Sequence, residues 1–184
     1  MIDISIISPS YNYADYIVEM LDSVVAQEGV RYEHLIFDAG STDGTLDVIR
    51  KYDHVELVVE PDKGMSDAIN KGFRAAKGRW VMWLNTDDRL KPGALKKFLD
   101  FAAKHDEADV IYGAWDFIDG EGKYMKTMQA FPFQKMMLSM LGCYIGSTSC
   151  FYRRETTISE GYVLNERFKY VMDGEYYNRL AHAG

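Results

Sequence analysis

Residues Gly78–Asp88 read GRWVMWLNTDD, and they decide the fold. Trp80–Leu84 (WVMWL) is a continuous apolar run without polar alternation, the pattern of a strand covered on both faces. It stops on Asn85-Thr86-Asp87-Asp88, a polar end that closes on two adjacent carboxylates. On the N-terminal side, Ser66–Ala76 spaces Ile69, Phe73 and Ala76 as one face of a helix. On the C-terminal side, Pro92–His105 fits another helix. A buried strand between two helices is the unit of a parallel sheet.

The same unit repeats toward the N-terminus. Ile4–Ser8 (ISIIS) predicts a first buried strand, and Asp15–Gln27 a helix with Tyr16, Ile17, Met20, Leu21, Val24 and Val25 on one face. Leu35–Asp38 predicts a second strand, Gly40–Gly44 a turn, Thr45–Tyr52 a helix and Val55–Val59 a third strand. Pro61–Gly64 is the next turn. Beyond residue 105 the pattern changes. Val110–Tyr112, Trp115–Ile118 and Lys123–Met128 read as short strands, the last two joined by the tight turn Asp119–Gly122. Phe131–Leu141 is rich in Met and aromatic residues, as expected of core or of a helix packed over a cleft. Ser147–Tyr152 predicts one more strand and Asp173–His182 a closing helix. The expected architecture is a single α/β domain over 1–184, its mostly parallel Rossmann-like sheet flanked by helices. Residues 1–90 form a nucleotide-binding half and 91–184 a smaller acceptor-side half.

Composition narrows the function. The chain has 184 residues, 47% hydrophobic, and a formal charge of −7. That charge argues against nucleic acid as a partner, because phosphate backbones are bound chiefly by Lys and Arg. It also means that a bound diphosphate requires a cation or local basic groups. Cys143 and Cys150 lack zinc-site spacing and read as reduced core residues of a cytosolic protein. The N-terminus is not a signal peptide, and no run approaches the ~18 apolar residues of a membrane span. The expectation is a cytoplasmic protein, with docking at the inner face of the membrane left open. Oligomeric state is not encoded.

Open parallel sheets bind ligands at the carboxyl ends of their strands. Three polar clusters fall there: Ser8-Pro9-Ser10-Tyr11-Asn12, the segment Asp38–Thr45, and Asn85–Asp88. Asp43 suits turn and helix-cap chemistry as well as a ligand. Asp38 ends an apolar strand, where its carboxylate can accept the ring N–H of a pyrimidine. Burying Asp87 and Asp88 together without a partner would cost on the order of ~3–5 kcal/mol. Mg²⁺ or Mn²⁺ removes that cost and leaves coordination positions for phosphates. The competing reading is a solvated loop ahead of the Pro92 helix. Lys63, Lys71, Arg74 and Arg79 form a basic run that reads as a solvated helix face or as a counter-charge to a diphosphate.

IISPSYN (Ile6–Asn12), DAGSTDGT (Asp38–Thr45), EPDKGMSDAINKG (Glu60–Gly72) and GRWVMWLNTDD resemble family 2 glycosyltransferases of the GT-A fold, in that family's order and separations. Asp173–Leu180 (DGEYYNRL) resembles the family's late acidic motif. The resemblance implies that Pro9 and Tyr11 line the nucleoside, that Asp38 binds the base, and that Asp67 helps hold the nucleoside or sugar. It places Asp87 and Asp88 on the metal motif, with Asp88 the direct Mn²⁺ or Mg²⁺ ligand, and Asp173 on the general base. Ala39, where a second acid is common, and Gly174, where a large residue is common, depart from the pattern. From position alone Asp173 reads first as a helix cap, and the resemblance reverses that order.

The implied reaction is a metal-dependent, one-step displacement with inversion. It moves a sugar from a nucleotide diphosphate, expected to be a UDP-sugar, to a hydroxyl of a glycan or lipid-linked acceptor in polysaccharide or glycolipid assembly. The alternative is a nucleotide-sugar-binding subunit without turnover. Relatives of this pattern usually continue past Gly184, so a truncated or minimal form is one reading of the chain.

Overall fold

A computed structural model describes residues 1–183, Leu141 by its backbone alone. The elements in chain order are β1 (Ile4–Ser10), α1 (Ile17–Val25), β2 (Tyr32–Asp38), α2 (Thr45–Ile49), β3 (Val55–Val59), α3 (Met65–Ala75), β4 (Trp80–Trp83) and α4 (Ala94–Ala102). They continue with β5 (Val110–Tyr112), β6 (Trp115–Ile118), β7 (Tyr124–Met128), α5 (Lys135–Leu141), β8 (Cys150–Arg153) and α6 (Met172–Ala183). Six strands form one sheet in the order β3-β2-β1-β4-β8-β5. The first four are parallel, with Ile7 opposite Leu35 on one side and Trp83 on the other. β8 runs antiparallel to both β4 and β5. β6 and β7 form a separate antiparallel ribbon.

Apolar side chains are buried on both faces of the sheet, which is why its strands are continuous apolar runs. One face packs Ile7, Leu35, Trp83 and Tyr152 against Phe73 of α3 and Tyr176 of α6. The other packs Ile6, Ile36, Trp80 and Met82 against Ile17 and Leu21 of α1 and Leu95 and Phe98 of α4. Two glycines permit close approach. A Cβ on Gly72 would stand 2.1 Å from Cγ2 of Ile7, so α3 lies directly on β1. A Cβ on Gly78 would stand 2.5 Å from the Ser5 amide nitrogen, where that glycine donates to Ser5 Oγ.

Several sequence expectations are corrected. α1 is shorter than Asp15–Gln27, and Tyr16 and Val25 are exposed, because they sit at the helix ends and turn off the buried stripe of Ile17, Met20, Leu21 and Val24. Ser147–Ser149 is a 3-10 turn, with strand structure only from Cys150, because Ser149 Oγ bonds back to Gly146 and across to Gly113. Of the Met- and aromatic-rich segment, Leu138 is core while Phe131, Phe133, Met136 and Met140 are exposed. Cys150 is core as expected, whereas Cys143 is exposed.

Candidate functional site

The loops after β1 and β2 are tied together by side chains. Asn12, the one non-glycine residue of positive φ (58°) among the described residues, donates its amide to Ser41 Oγ at 2.8 Å. Its Oδ1 accepts the Thr42 amide at 2.9 Å. The Tyr13 amide donates to Thr45 Oγ1 at 2.8 Å and the Ala14 amide to Asp43 Oδ2 at 3.1 Å. Asp43 also accepts from the Thr45 amide and hydroxyl, and these bonds hold its carboxyl below the usual range, the Thr45 hydroxyl most. Asp43 therefore joins two loops.

Asp38 closes the same corner from beneath. Oδ1 accepts the amides of Gly40 and Ser41 at 2.9 and 2.7 Å, and Oδ2 accepts the Ser41 hydroxyl at 2.7 Å. A carboxylate has about four acceptor sites, of which these bonds use three, and Asp38 is 1% exposed. Pro9 is buried in β1, and Tyr11 is exposed at the edge of the corner. Asp67 lies in the first turn of α3, where Oδ2 accepts the Lys63 amide at 3.0 Å and pairs with Lys71 at 3.6 Å. Lys71 also reaches Glu60, and Arg79 pairs with Asp106, so these two members of the basic run are matched locally.

The end of β4 opens into a cleft of about 700 Å³. Asp87 is exposed and Asp88 half-buried, with Oδ2 of Asp88 accepting Nδ2 of Asn85 at 2.9 Å. Burial first, and the Asp87 charge second, push the Asp88 carboxyl up to about 6; the Asn85 bond opposes them. Tyr13 faces the same pair: burial, then Asp87 and Asp88, raise its phenol. Asp173 lines this cleft with Asp87 and Asp88, although 85 residues separate it from Asp88 in sequence.

Asp173 stands inside the first turn of α6, not ahead of it, and among the described residues its Oδ1 accepts only the adjacent Gly174 amide, at 2.8 Å. That corrects the helix-cap alternative, since a cap reaches the second or third amide of the helix. Glu175 is turned away and bound to Arg179 at 2.9 Å, while Arg179 also donates to the Val163 carbonyl. A Cβ on Gly174 would stand 3.4 Å from Cβ of Cys143, an ordinary contact distance, so nothing in the structure explains the glycine here.

Six lining side chains carry carboxylates, namely Glu19, Asp87, Asp88, Asp116, Asp119 and Asp173, against one cation, Arg89. Arg89 is held by Glu19 and the Gly122 carbonyl. Lys91 neutralises Asp116 from the side, and Thr127 donates to the same carboxylate at 2.6 Å. Among the described residues no three His, Cys, Asp or Glu side chains group to hold a metal ion. One or two carboxylates plus phosphate and water oxygens nevertheless suffice for Mg²⁺ or Mn²⁺, and the raised carboxyl of Asp88 fits such an ion. Asn85 falls in one of the polar clusters read from sequence, but the cleft wall formed by Tyr13, Tyr16, Arg89 and the ribbon residues Trp115, Asp116 and Asp119 does not.

The parallel sheet, with its antiparallel extension and its acidic cleft at the strand ends, is a GT-A fold. The family model described as glycosyl transferase family 2 matches residues 5–159, and the chain belongs to that family. It is 38% identical over 103 residues to the putative teichuronic acid biosynthesis glycosyltransferase TuaG of Bacillus subtilis, covering 53% of this chain and 41% of that protein. It is 28% identical over 187 residues to chondroitin synthase of Escherichia coli, covering 98% of this chain and 27% of that protein. The chain thus spans less than half the length of either relative. Among solved structures, S. aureus TarS 1–349 in complex with UDP superposes with a TM-score of 0.76 at 23% identity, over 95% of this chain and 54% of that one. The mannosyltransferase PcManGT from Pyrobaculum calidifontis, in complex with GDP-Man and Mn²⁺, gives 0.68 at 20% identity, over 96% and 51%.

Proposed function

We propose that this chain is the catalytic domain of an inverting, metal-dependent glycosyltransferase. It moves a sugar from a UDP-sugar to a hydroxyl of a glycan or lipid-linked acceptor, in polysaccharide or glycolipid assembly at the inner face of the membrane. The observation that carries the reading is that Asp87, Asp88 and Asp173 line one cleft beside the cross-tied loops of β1 and β2. The UDP of the TarS complex and the Mn²⁺ of the PcManGT complex support the donor and the metal. No described helix is long and apolar enough to cross a membrane.

The nucleoside lies over the corner formed by Pro9, Tyr11 and Asp38, with the remaining acceptor site of the buried Asp38 carboxylate taking a pyrimidine N–H. Asp67 steadies the Lys63 turn on the donor side. Asp88, oriented by Asn85, would hold the Mn²⁺ or Mg²⁺ with Asp87 beside it. When bound, such an ion supplies Lewis-acid stabilisation of charge on a diphosphate and offsets the six carboxylates. Asp173 accepts the proton of the acceptor hydroxyl as that oxygen bonds to the anomeric carbon, and the bond from that carbon to the diphosphate oxygen breaks on the opposite face. Catalysis by a base of this kind is worth ~10²–10⁴-fold.

Calorimetry of UDP and ADP with Mn²⁺ and with excess chelator tests the donor site. UDP is expected to bind only with Mn²⁺ and to outcompete ADP, since adenine has no matching ring N–H. Equal UDP affinity in chelator, or ADP outcompeting UDP, would sink the proposal. Metal-dependent binding without transfer or donor hydrolysis would favour the binding-subunit reading.

A further inference from the structure

We propose that the groove between α4 and the β6–β7 ribbon binds a hydrocarbon chain carried by the acceptor. This rests on the reading of the neighbouring cleft as the site of transfer. The groove encloses about 740 Å³. Its walls are Leu90, Phe98, Phe101, Ile111, Trp115 and Phe151. The rings of Phe98 and Phe151 stack on each other at 3.7 Å between centroids at the bottom of the groove, each 7% exposed. Phe101 is 51% exposed at the rim, so apolar surface faces water along the opening.

The occupant follows from continuity with the cleft. Asp88, Arg89, Trp115, Asp116, Ile118 and Thr148 line both cavities. A molecule whose hydroxyl lies at Asp173 can therefore continue past Trp115 without leaving the protein surface. The two cavities differ in chemistry along that path. The cleft offers six carboxylates, whereas the groove beyond Trp115 offers mainly aromatic and aliphatic carbon. A sugar hydroxyl gains little from such walls, while a hydrocarbon chain gains with every methylene it buries. An acceptor with a sugar at one end and a single chain at the other matches both.

The test uses hexyl, octyl and decyl β-D-glucosides below their micelle concentrations, titrated calorimetrically into the full chain. Full burial contributes ~0.8 kcal/mol per methylene, about fourfold in affinity each. An increase of tenfold or more from hexyl to decyl is expected, and a smaller increase overturns the proposal. Ala114 is exposed and lines the groove but not the cleft, so Ala114→Trp fills the groove without disturbing the core. It should weaken decyl glucoside at least tenfold and leave UDP binding with Mn²⁺ unchanged. If that variant does not fold, Phe101→Ser removes an exposed wall residue and is read in the same way. In wild type, absence of the chain-length dependence with intact UDP binding overturns this inference and spares the transferase; chain-length dependence without UDP binding overturns the reading of the cleft instead. Uptake onto anionic vesicles with no affinity for the monomeric glucosides would assign the groove to a bilayer and also overturns it.

Discussion

Nδ2 of Asn85 donates to Oδ2 of Asp88 at 2.9 Å, while the Oδ1 atom of Asn85 is buried without a partner among the described residues. The bond fixes one oxygen of Asp88 and leaves Oδ1 for the proposed Mn²⁺ or Mg²⁺. A partner that orients a metal ligand typically contributes ~10–100-fold in metal affinity. Asn85→Ala should therefore weaken Mn²⁺ by ~10–100-fold in the presence of UDP. Asp88→Ala should abolish the metal-dependent part of UDP binding. Calorimetric Mn²⁺ titrations check both, and unchanged affinity in Asp88→Ala would remove it as the metal ligand.

Asp173→Asn keeps size and the bond from the Gly174 amide. Folding and metal-dependent UDP binding should persist while transfer falls by ~10²-fold or more. Glu175→Gln is the control, because Glu175 already serves Arg179 and should cost far less. Transfer rates of the two variants, in a form of the protein that turns over, decide it. Near-normal transfer by Asp173→Asn refutes the base assignment.

The close crossing of α3 over β1 gives a stability test. Gly72→Ala places a methyl carbon 2.1 Å from Cγ2 of Ile7, inside a packed core. Overpacking of this kind costs about 1–3 kcal/mol. Denaturant unfolding should show that loss, and a double variant with Ile7→Ala should fall short of additivity. Strict additivity would mean the two residues do not press on each other.

A buried histidine sets a pH limit. His34 is fully buried, with Nε2 facing Ser8 Oγ at 3.0 Å and Nδ1 facing His54 Nε2 at 3.3 Å. Burial first, then the His54 charge, lowers it to about 3. The unfolded chain protonates near 6.5 while the native state refuses the proton. Stability is thus complete above about 6.5 and falls as pH drops toward 3. At pH 5 the loss is on the order of 2 kcal/mol, or roughly 4–8 °C in Tm. Melting at pH 7.5 and 5.0 measures it, and His34→Asn should show a shallower pH dependence than wild type. Parallel slopes would clear His34.

The parts legible in sequence were those with a local cause. β1, β2 and β4 are doubly buried, so Ile4–Ser8, Leu35–Asp38 and Trp80–Leu84 stand out as apolar runs. The acidic pair was legible because it ends one of them. Tyr16 and Val25 misled because helical spacing gives the stripe but not where the helix stops. The cleft wall was hidden because Trp115, Asp116 and Asp119 reach Asp88 only through tertiary folding of the ribbon. The exposure of Met136 and Met140 was equally illegible, since an apolar pair four residues apart reads as core until its neighbours are known.

The β6–β7 ribbon pairs only with itself, and Arg89 to the Gly122 carbonyl and Lys91 to Asp116 fasten it to the loop after β4. It adds no strand to the main sheet, so its length and side chains can vary while the six-strand register stays as it is. On the proposed function, exchanging Trp115–Met128 for a ribbon of different shape, with Asp116 and the Gly122 turn retained, would be a modular route to new acceptors on an unchanged donor platform.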